Sequence, residues 1–201
     1  GGDPLILSAR KLGMILDALE EIEHVKIIRL HTRIPIADPA RIGVDMLKTL
    51  KRKTPIYIVA HINHAQEISP AVKETLTALH AAGCVLLSQS VLLKGINDKA
   101  QVLEDLFKAL IALRVKPYYL HHPDKAPGTS HFRLSLSEGR KIYAALQGTI
   151  SGIALPQYMI DLPGGFGKTP INPLAIEQQD DGTYLIEDYN GVMHRYEDKA
   201  A

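Results

Sequence analysis

Apolar positions along this chain switch repeatedly between a helical and a strand-like spacing. Behind Ser8, a residue suited to capping a helix, Leu12, Ile15, Leu16 and Leu19 share one face of a helix predicted to run to about residue 23. Residues 25–32 then predict a strand. After a connection carrying Pro35 and Pro39, residues 40–52 predict a helix with Ile42, Met46, Leu47 and Leu50 inward. The rhythm recurs as strand 56–63 with helix 69–82, strand 85–93 with helix 98–114, and strand 116–121 with helix 137–147. Strands alternating with helices at this spacing predict a parallel sheet, and their apolar content predicts burial on both faces. Beyond Lys168 the alternation stops. Residues 184–188 and 192–196, separated by Tyr189-Asn190-Gly191, predict a hairpin with an Asn-Gly turn.

Polar residues collect at the ends of the predicted strands. His31, Thr32 and Arg33 close the first, and His61, Asn63 and His64 the second. Gln89 and Ser90 lie in the third, and His121, His122 and Asp124 close the fourth. A single histidine at a strand end is commonly a hydrogen-bonded loop residue. Four ends with the same habit point to a shared site, because in a barrel of parallel strands the C-terminal ends form one mouth.

Composition narrows the function. With 201 residues and 46% hydrophobic content the chain can bury a sizeable core. Its 23 basic and 22 acidic residues nearly cancel, which favours a small polar substrate over nucleic acid. Cys84 is the only cysteine, so this chain alone makes no disulfide framework and no multi-cysteine metal site. No apolar run approaches the roughly 20 residues that span a bilayer, and no export signal opens the chain. A cytoplasmic location is expected.

The segment Asp161-Leu162-Pro163-Gly164-Gly165-Phe166-Gly167-Lys168 sets one amine beside a backbone with little side-chain bulk. Glycines permit close approach and unusual backbone angles. The lysine amine can oppose a phosphate or, deprotonated, attack an aldehyde. The plainer reading is a surface turn with a solvated lysine. A nucleotide-binding P-loop does not fit, since its first glycine would stand at Leu162 and Pro170 and Pro173 obstruct the following helix.

Taken in order, several motifs resemble one family. They are Gly1-Gly2-Asp3-Pro4-Leu5, His61-Ile62-Asn63-His64, Gln89-Ser90-Val91-Leu92-Leu93 with Asn97-Asp98, Pro117-Tyr118-Tyr119 leading to Asp124, His131-Phe132, and Pro163 to Lys168. Over nearly the whole chain this series resembles the lysine 2,3-aminomutases of the radical S-adenosylmethionine enzymes. The resemblance implies an α/β fold, a partial parallel (β/α) barrel of the radical SAM type with a C-terminal β-hairpin extension. Residues 1–150 would be the C-terminal part of the barrel, and residues 151–201 the lysine loop and extension. The implied reaction moves the 2-amino group of L-lysine to carbon 3, giving β-lysine. It uses S-adenosylmethionine, a 4Fe-4S iron–sulfur cluster and pyridoxal phosphate. By motif, Lys168 would bond the pyridoxal phosphate aldehyde, and Gly1, Gly2 and Asp3 would help bind S-adenosylmethionine. Asp124 and Asp161 would pair with the distal ammonium of lysine, as two carboxylates in a partly desolvated pocket are suited to do. His61, Gln89 and His121 are assigned to the cofactor mouth, and a homo-oligomer is expected.

The departures from the family pattern matter equally. The family's Cys-x-x-x-Cys-x-x-Cys motif stands upstream of the Gly-Gly-Asp-Pro segment, and Cys84 does not replace it. Three thiolates leave one iron open for S-adenosylmethionine. The expectation is therefore a C-terminal portion of a longer enzyme, inactive without its cluster-binding segment. A cysteine that some members use for structural zinc is Lys99 here. With residues 39–42 and 119–121, this also resembles the branch that attaches β-lysine to elongation factor P, whereas the glycine loop and hairpin resemble the free-lysine enzymes. Two other readings stay open. One is a metal-dependent barrel hydrolase using His61, His64, His121, His122 and Asp124. The other is a non-enzymatic assembly domain whose hairpin makes a subunit contact.

Overall fold

The computed structural model describes residues 2–172, 176–188 and 190–197; Gly1, Pro173 and Tyr189, which carry parts of the expectations above, lie outside them. Ser8 accepts a hydrogen bond from the Lys11 amide and starts α1 (Ala9–Glu20), which buries Leu12 and Leu16. Ile15, expected inward, is exposed. Strand β1 (Ile28–Thr32) alternates buried and exposed positions. The expected helix over 40–52 is in fact broken. A short α2 (Ile34–Ala37) and a 3-10 turn over Pro39–Arg41 precede α3 (Val44–Leu50). Ile42 leaves the helical region of backbone space and Gly43 is extended, so the chain re-enters the helix only at Val44. Ile42, Met46 and Leu50 are buried as expected, with Leu47 packed at the rim.

The following units match their predicted places closely. β2 (Ile56–His61) leads to α4 (Pro70–Ala81), where Ser69 caps and Pro70 occupies the first turn. β3 (Val85–Val91) leads to α5 (Ala100–Ala112), which buries Leu103, Leu106, Phe107 and Leu110. Arg114, at φ 61, ends that helix and turns the chain into β4 (Lys116–His121). α6 (Leu136–Ala144) starts ahead of its predicted position, because Ser135 and Glu138 form a reciprocal capping box.

Three strands were not predicted, two of them in the main sheet. β5 (Gln157–Asp161) pairs parallel with β4, and β6 (Lys168–Pro170) pairs antiparallel with β5. Both are short and flank the glycine-rich turn, so neither shows a long apolar run. Among the described residues β1 to β6 therefore form one open sheet in sequence order, parallel through β5. The C-terminal hairpin, β8 (Tyr184–Glu187) with β9 (Met193–Tyr196), gains a third strand, β7 (Ile176–Gln178), in a separate antiparallel sheet.

The helices cover one face of the main sheet, where Ile28, Leu30, Ile56, Ile58, Leu86, Leu120 and Tyr158 join the helix residues in a single core. Gly139 of α6 belongs to that packing. A Cβ there would lie 2.0 Å from the Tyr158 hydroxyl oxygen, so the absent side chain lets the ring reach His122. The opposite face carries His31, His61, Gln89, Tyr119, His121 and Asp161, whereas Thr32 and Ser88 turn into the core, as does Ser90, expected at the shared mouth, whose hydroxyl donates to the Ile62 carbonyl.

Candidate active site

Strand register decides which polar residues share that second face. His61 and Gln89 are direct cross-strand partners, and Gln89 Oε1 lies 3.0 Å from His31 Nδ1. β4 then holds an extra residue. Ser88 pairs with Pro117 but Gln89 pairs with Tyr119, leaving Tyr118 as a bulge. The two tyrosine rings stack with centroids 3.7 Å apart, and their hydroxyls share a hydrogen bond of 2.7 Å. This hydrogen bond, with burial, holds the Tyr119 phenol above its ordinary pKa. The edge of the Tyr119 ring meets His121 at 5.6 Å between centroids. A two-residue aromatic platform was not foreseen, since a bulge leaves no mark in hydrophobic periodicity.

β5 and β6 bring the glycine-loop lysine to the same face. Asp161 and Lys168 are register partners, and Lys168 Nζ lies 2.7 Å from Asp161 Oδ1 and 2.5 Å from Oδ2. His121 Nδ1 stands 3.7 Å from Asp161 Oδ2. The connecting loop is closed by the Leu162 amide donating to the Gly167 carbonyl at 3.0 Å. Within it Gly164, Gly165 and Gly167 all have positive φ, a region open to glycine at little cost. Phe166 projects from its tip, 81% exposed.

Burial sets the electrostatics of the two central histidines. The His121 pKa falls below the ordinary imidazole value through desolvation, aided by the Lys168 ammonium and opposed by Asp161 and Asp124. The His61 pKa falls for the same first reason, aided by Arg33 and opposed by Glu67. Both rings are thereby biased toward the neutral form, able to accept or donate a hydrogen bond at neutral pH. Asp124 lies exposed in the loop after β4, within electrostatic reach of His121.

A polar lattice secures the strand ends. Asp3 accepts from Leu5 N at 3.0 Å, Thr32 Oγ1 at 2.7 Å and Arg33 N at 2.6 Å, tying the start of the chain to the end of β1. Glu67 accepts from the amides of Asn63 and His64 at 2.7 and 2.9 Å and pairs with Arg33 at 3.2 Å. Fully buried Asn97 accepts from Leu93 N and donates to the carbonyls of Asn63 and Val91. Asn63 in turn accepts from Val91 N. Glu67 went unforeseen, although its partners Arg33, Asn63 and His64 were among the expected strand-end residues. The only signal was a glutamate three residues after His64, the spacing of a capping box.

Other expected members stand apart. His122 turns away to the Tyr158 hydroxyl at 2.8 Å, and His64 Nδ1 accepts from Gln66 N at 3.1 Å. Among the described residues no three His, Cys, Asp or Glu side chains are placed to hold a metal ion, so the five donors of the hydrolase reading do not converge. Gly1 lies outside the described residues, while Gly2 is described with φ 150 and is exposed. Cys84 is buried at the foot of β3 and its thiol is pushed up to about 11 by burial. One such thiol does not fit an iron–sulfur cluster, which is held by several cysteine thiolates. Also among the described residues, no helix is long and apolar enough to cross a membrane.

Known proteins match this chain over nearly its whole length. A putative L-lysine 2,3-aminomutase of Aquifex aeolicus is 40% identical over 198 residues, covering 98% of this chain and 54% of that protein. An L-lysine 2,3-aminomutase of Fusobacterium nucleatum is 40% identical over 98% of this chain and 46% of its own length. The family model described as lysine-2,3-aminomutase matches residues 143–200, the region of β5, β6 and the glycine loop. Over nearly its whole length the chain is similar to lysine 2,3-aminomutases. A glutamate 2,3-aminomutase of Clostridioides difficile is also similar, 38% identical over all of this chain and 48% of that protein. The chain thus spans about half the length of the curated relatives it matches.

Proposed function

We propose that this chain is the C-terminal portion of a radical aminomutase that converts L-lysine to β-lysine. The observation that carries this reading is the placing of Lys168 on β6, paired with Asp161 and facing His121 on one side of a parallel sheet. The sequential strand order supports a part-barrel whose mouth holds the reaction. Pyridoxal phosphate fits Lys168, an amine 43% exposed beside a loop of three positive-φ glycines. When bound, that group would hold the substrate amine during its migration. The half-buried imidazole of His121, biased toward its neutral form, and the amide of Gln89 would orient polar atoms at the mouth, and the tyrosine pair would flank a planar ligand.

S-adenosylmethionine is assigned to the segment at Gly1, Gly2 and Asp3. The Asp3 carboxylate is largely taken up by protein donors, so its part there is to hold the Gly2 backbone against the end of β1. The 4Fe-4S cluster does not fit the residues present, and no step is derived through it. Lysine is preferred to glutamate because Asp161 is the register partner of Lys168 and Asp124 lies within electrostatic reach of His121, two carboxylates suited to a distal ammonium and repelling a distal carboxylate. The same chemistry serves the elongation factor P branch. A cytoplasmic homo-oligomer is the expected setting.

The test is covalent. Pyridoxal phosphate followed by borohydride should label Lys168, and Lys168→Met should lose the label, as read by peptide mass. Labelling spread over surface lysines with Lys168 untouched would remove the assignment.

A further inference from the structure

The Asp161–Lys168 pair raises a question of occupancy that the proposed function leaves open. Both carboxylate oxygens are engaged by one ammonium, at 2.7 and 2.5 Å. The pair is built into a hairpin whose register sets the two residues opposite each other and whose loop is closed at Leu162 and Gly167. The two therefore remain neighbours wherever that hairpin persists. The nearest other donor, His121 Nδ1, is 3.7 Å away and biased toward its neutral form. Asp161 thus has one cationic partner within hydrogen-bond reach, and that partner is the amine assigned to the cofactor.

We propose that Asp161 is a shared acceptor for which the Lys168 ammonium and the distal ammonium of a ligand compete, so that bonding of Lys168 to an aldehyde opens the cation site. This rests on the functional reading above. When the Lys168 ammonium condenses with an aldehyde, a carbon–nitrogen double bond forms and water leaves with the aldehyde oxygen and two of the three ammonium hydrogens. The nitrogen keeps one hydrogen at most and cannot cover both oxygens of Asp161. The carboxylate then takes the ligand's cation. Coupling is reciprocal, so a cation seated on Asp161 also loosens the hold on Lys168 as an ammonium and favours its capture by the aldehyde. Empty of cofactor, the chain keeps its cation site closed with its own lysine.

The competition can be read with n-butylguanidinium, whose N–H donors suit a carboxylate and which does not condense with aldehydes. Its binding to the 201-residue chain would be followed by isothermal titration calorimetry, which reads every variant alike. Lys168→Met should bind the probe about fivefold or more tightly than the unsubstituted chain. Pyridoxal phosphate added to the unsubstituted chain should shift affinity in the same direction, and Asp161→Asn should abolish both gains. Equal affinity with and without the lysine, in a protein whose Lys168 does trap pyridoxal phosphate, overturns the competition and leaves the proposed function standing. Tighter binding in Lys168→Met without any trapping upholds the competition and removes the aldehyde from it.

Discussion

Asn97 illustrates how much a single buried amide can organise. Its side chain satisfies one amide and two carbonyls from two backbone segments, one after β2 and one at the end of β3, and it has no exposed surface. Replacing it by Ala leaves those groups without partners where water has little access. The expected cost is about 2–4 kcal/mol, from roughly 1–3 kcal/mol for each unsatisfied buried group with partial relaxation. Urea unfolding of Asn97→Ala checks this, and a change under about 0.5 kcal/mol, the range of neutral surface substitutions, would show that the lattice is dispensable. In the sequence Asn97 was legible only as part of a motif. Its role depends on Asn63, 34 residues earlier, and no local pattern announces that distance.

At the scale of elements, the β5–β6 hairpin is where chemistry and backbone constraint meet. Gly167 sits at φ 88 directly before Lys168, and a Cβ there would meet nothing within 4 Å. Any cost of Gly167→Ala is therefore backbone strain rather than collision. That substitution should lower stability by about 1–2 kcal/mol and slow borohydride-trappable capture at Lys168. Unchanged trapping and stability would show that the left-handed angle is not needed. Gly164→Ala differs, because its Cβ would lie 2.8 Å from the Phe166 ring as well. The glycines could be recognised as turn formers from sequence. That they join two paired strands, setting Asp161 against Lys168, could not, because three- and five-residue strands carry too little pattern. The helices were more visible, since caps such as Ser8 and Ser69 and the buried stripe of α5 are local signals. The break before α3 was missed because Ile42 keeps the helical spacing while its backbone does not.

Across the whole molecule, His61, His121 and His122 share a pKa lowered chiefly by burial. On unfolding each regains its ordinary value near 6.5, so below that pH the unfolded chain binds more protons than the folded one. Stability should thus be full above about pH 7 and fall as pH drops through the unfolded value, flattening once the folded rings also protonate. Around His121 this balance includes Lys168, Asp161, Asp124 and His61, and the carboxylates soften the fall without reversing it. Denaturation midpoints at pH 8 and pH 5.5 test the sign. A midpoint that rises on acidification would mean that the rings are charged in the folded state.

By itself the sequence determined the alternation of strand and helix, the parallel main sheet, the C-terminal hairpin and the residue types at the strand ends. These follow from local periodicity, capping and turn chemistry, which act over a few residues. Tertiary structure alone decided that His61 faces Gln89, that Tyr118 bulges beside Tyr119, and that His122 leaves the site for Tyr158. It also decided that Lys168 rests on Asp161. The reason is register: a shift of one residue in a strand reverses the face of every side chain, and register is set by pairing between segments distant in sequence.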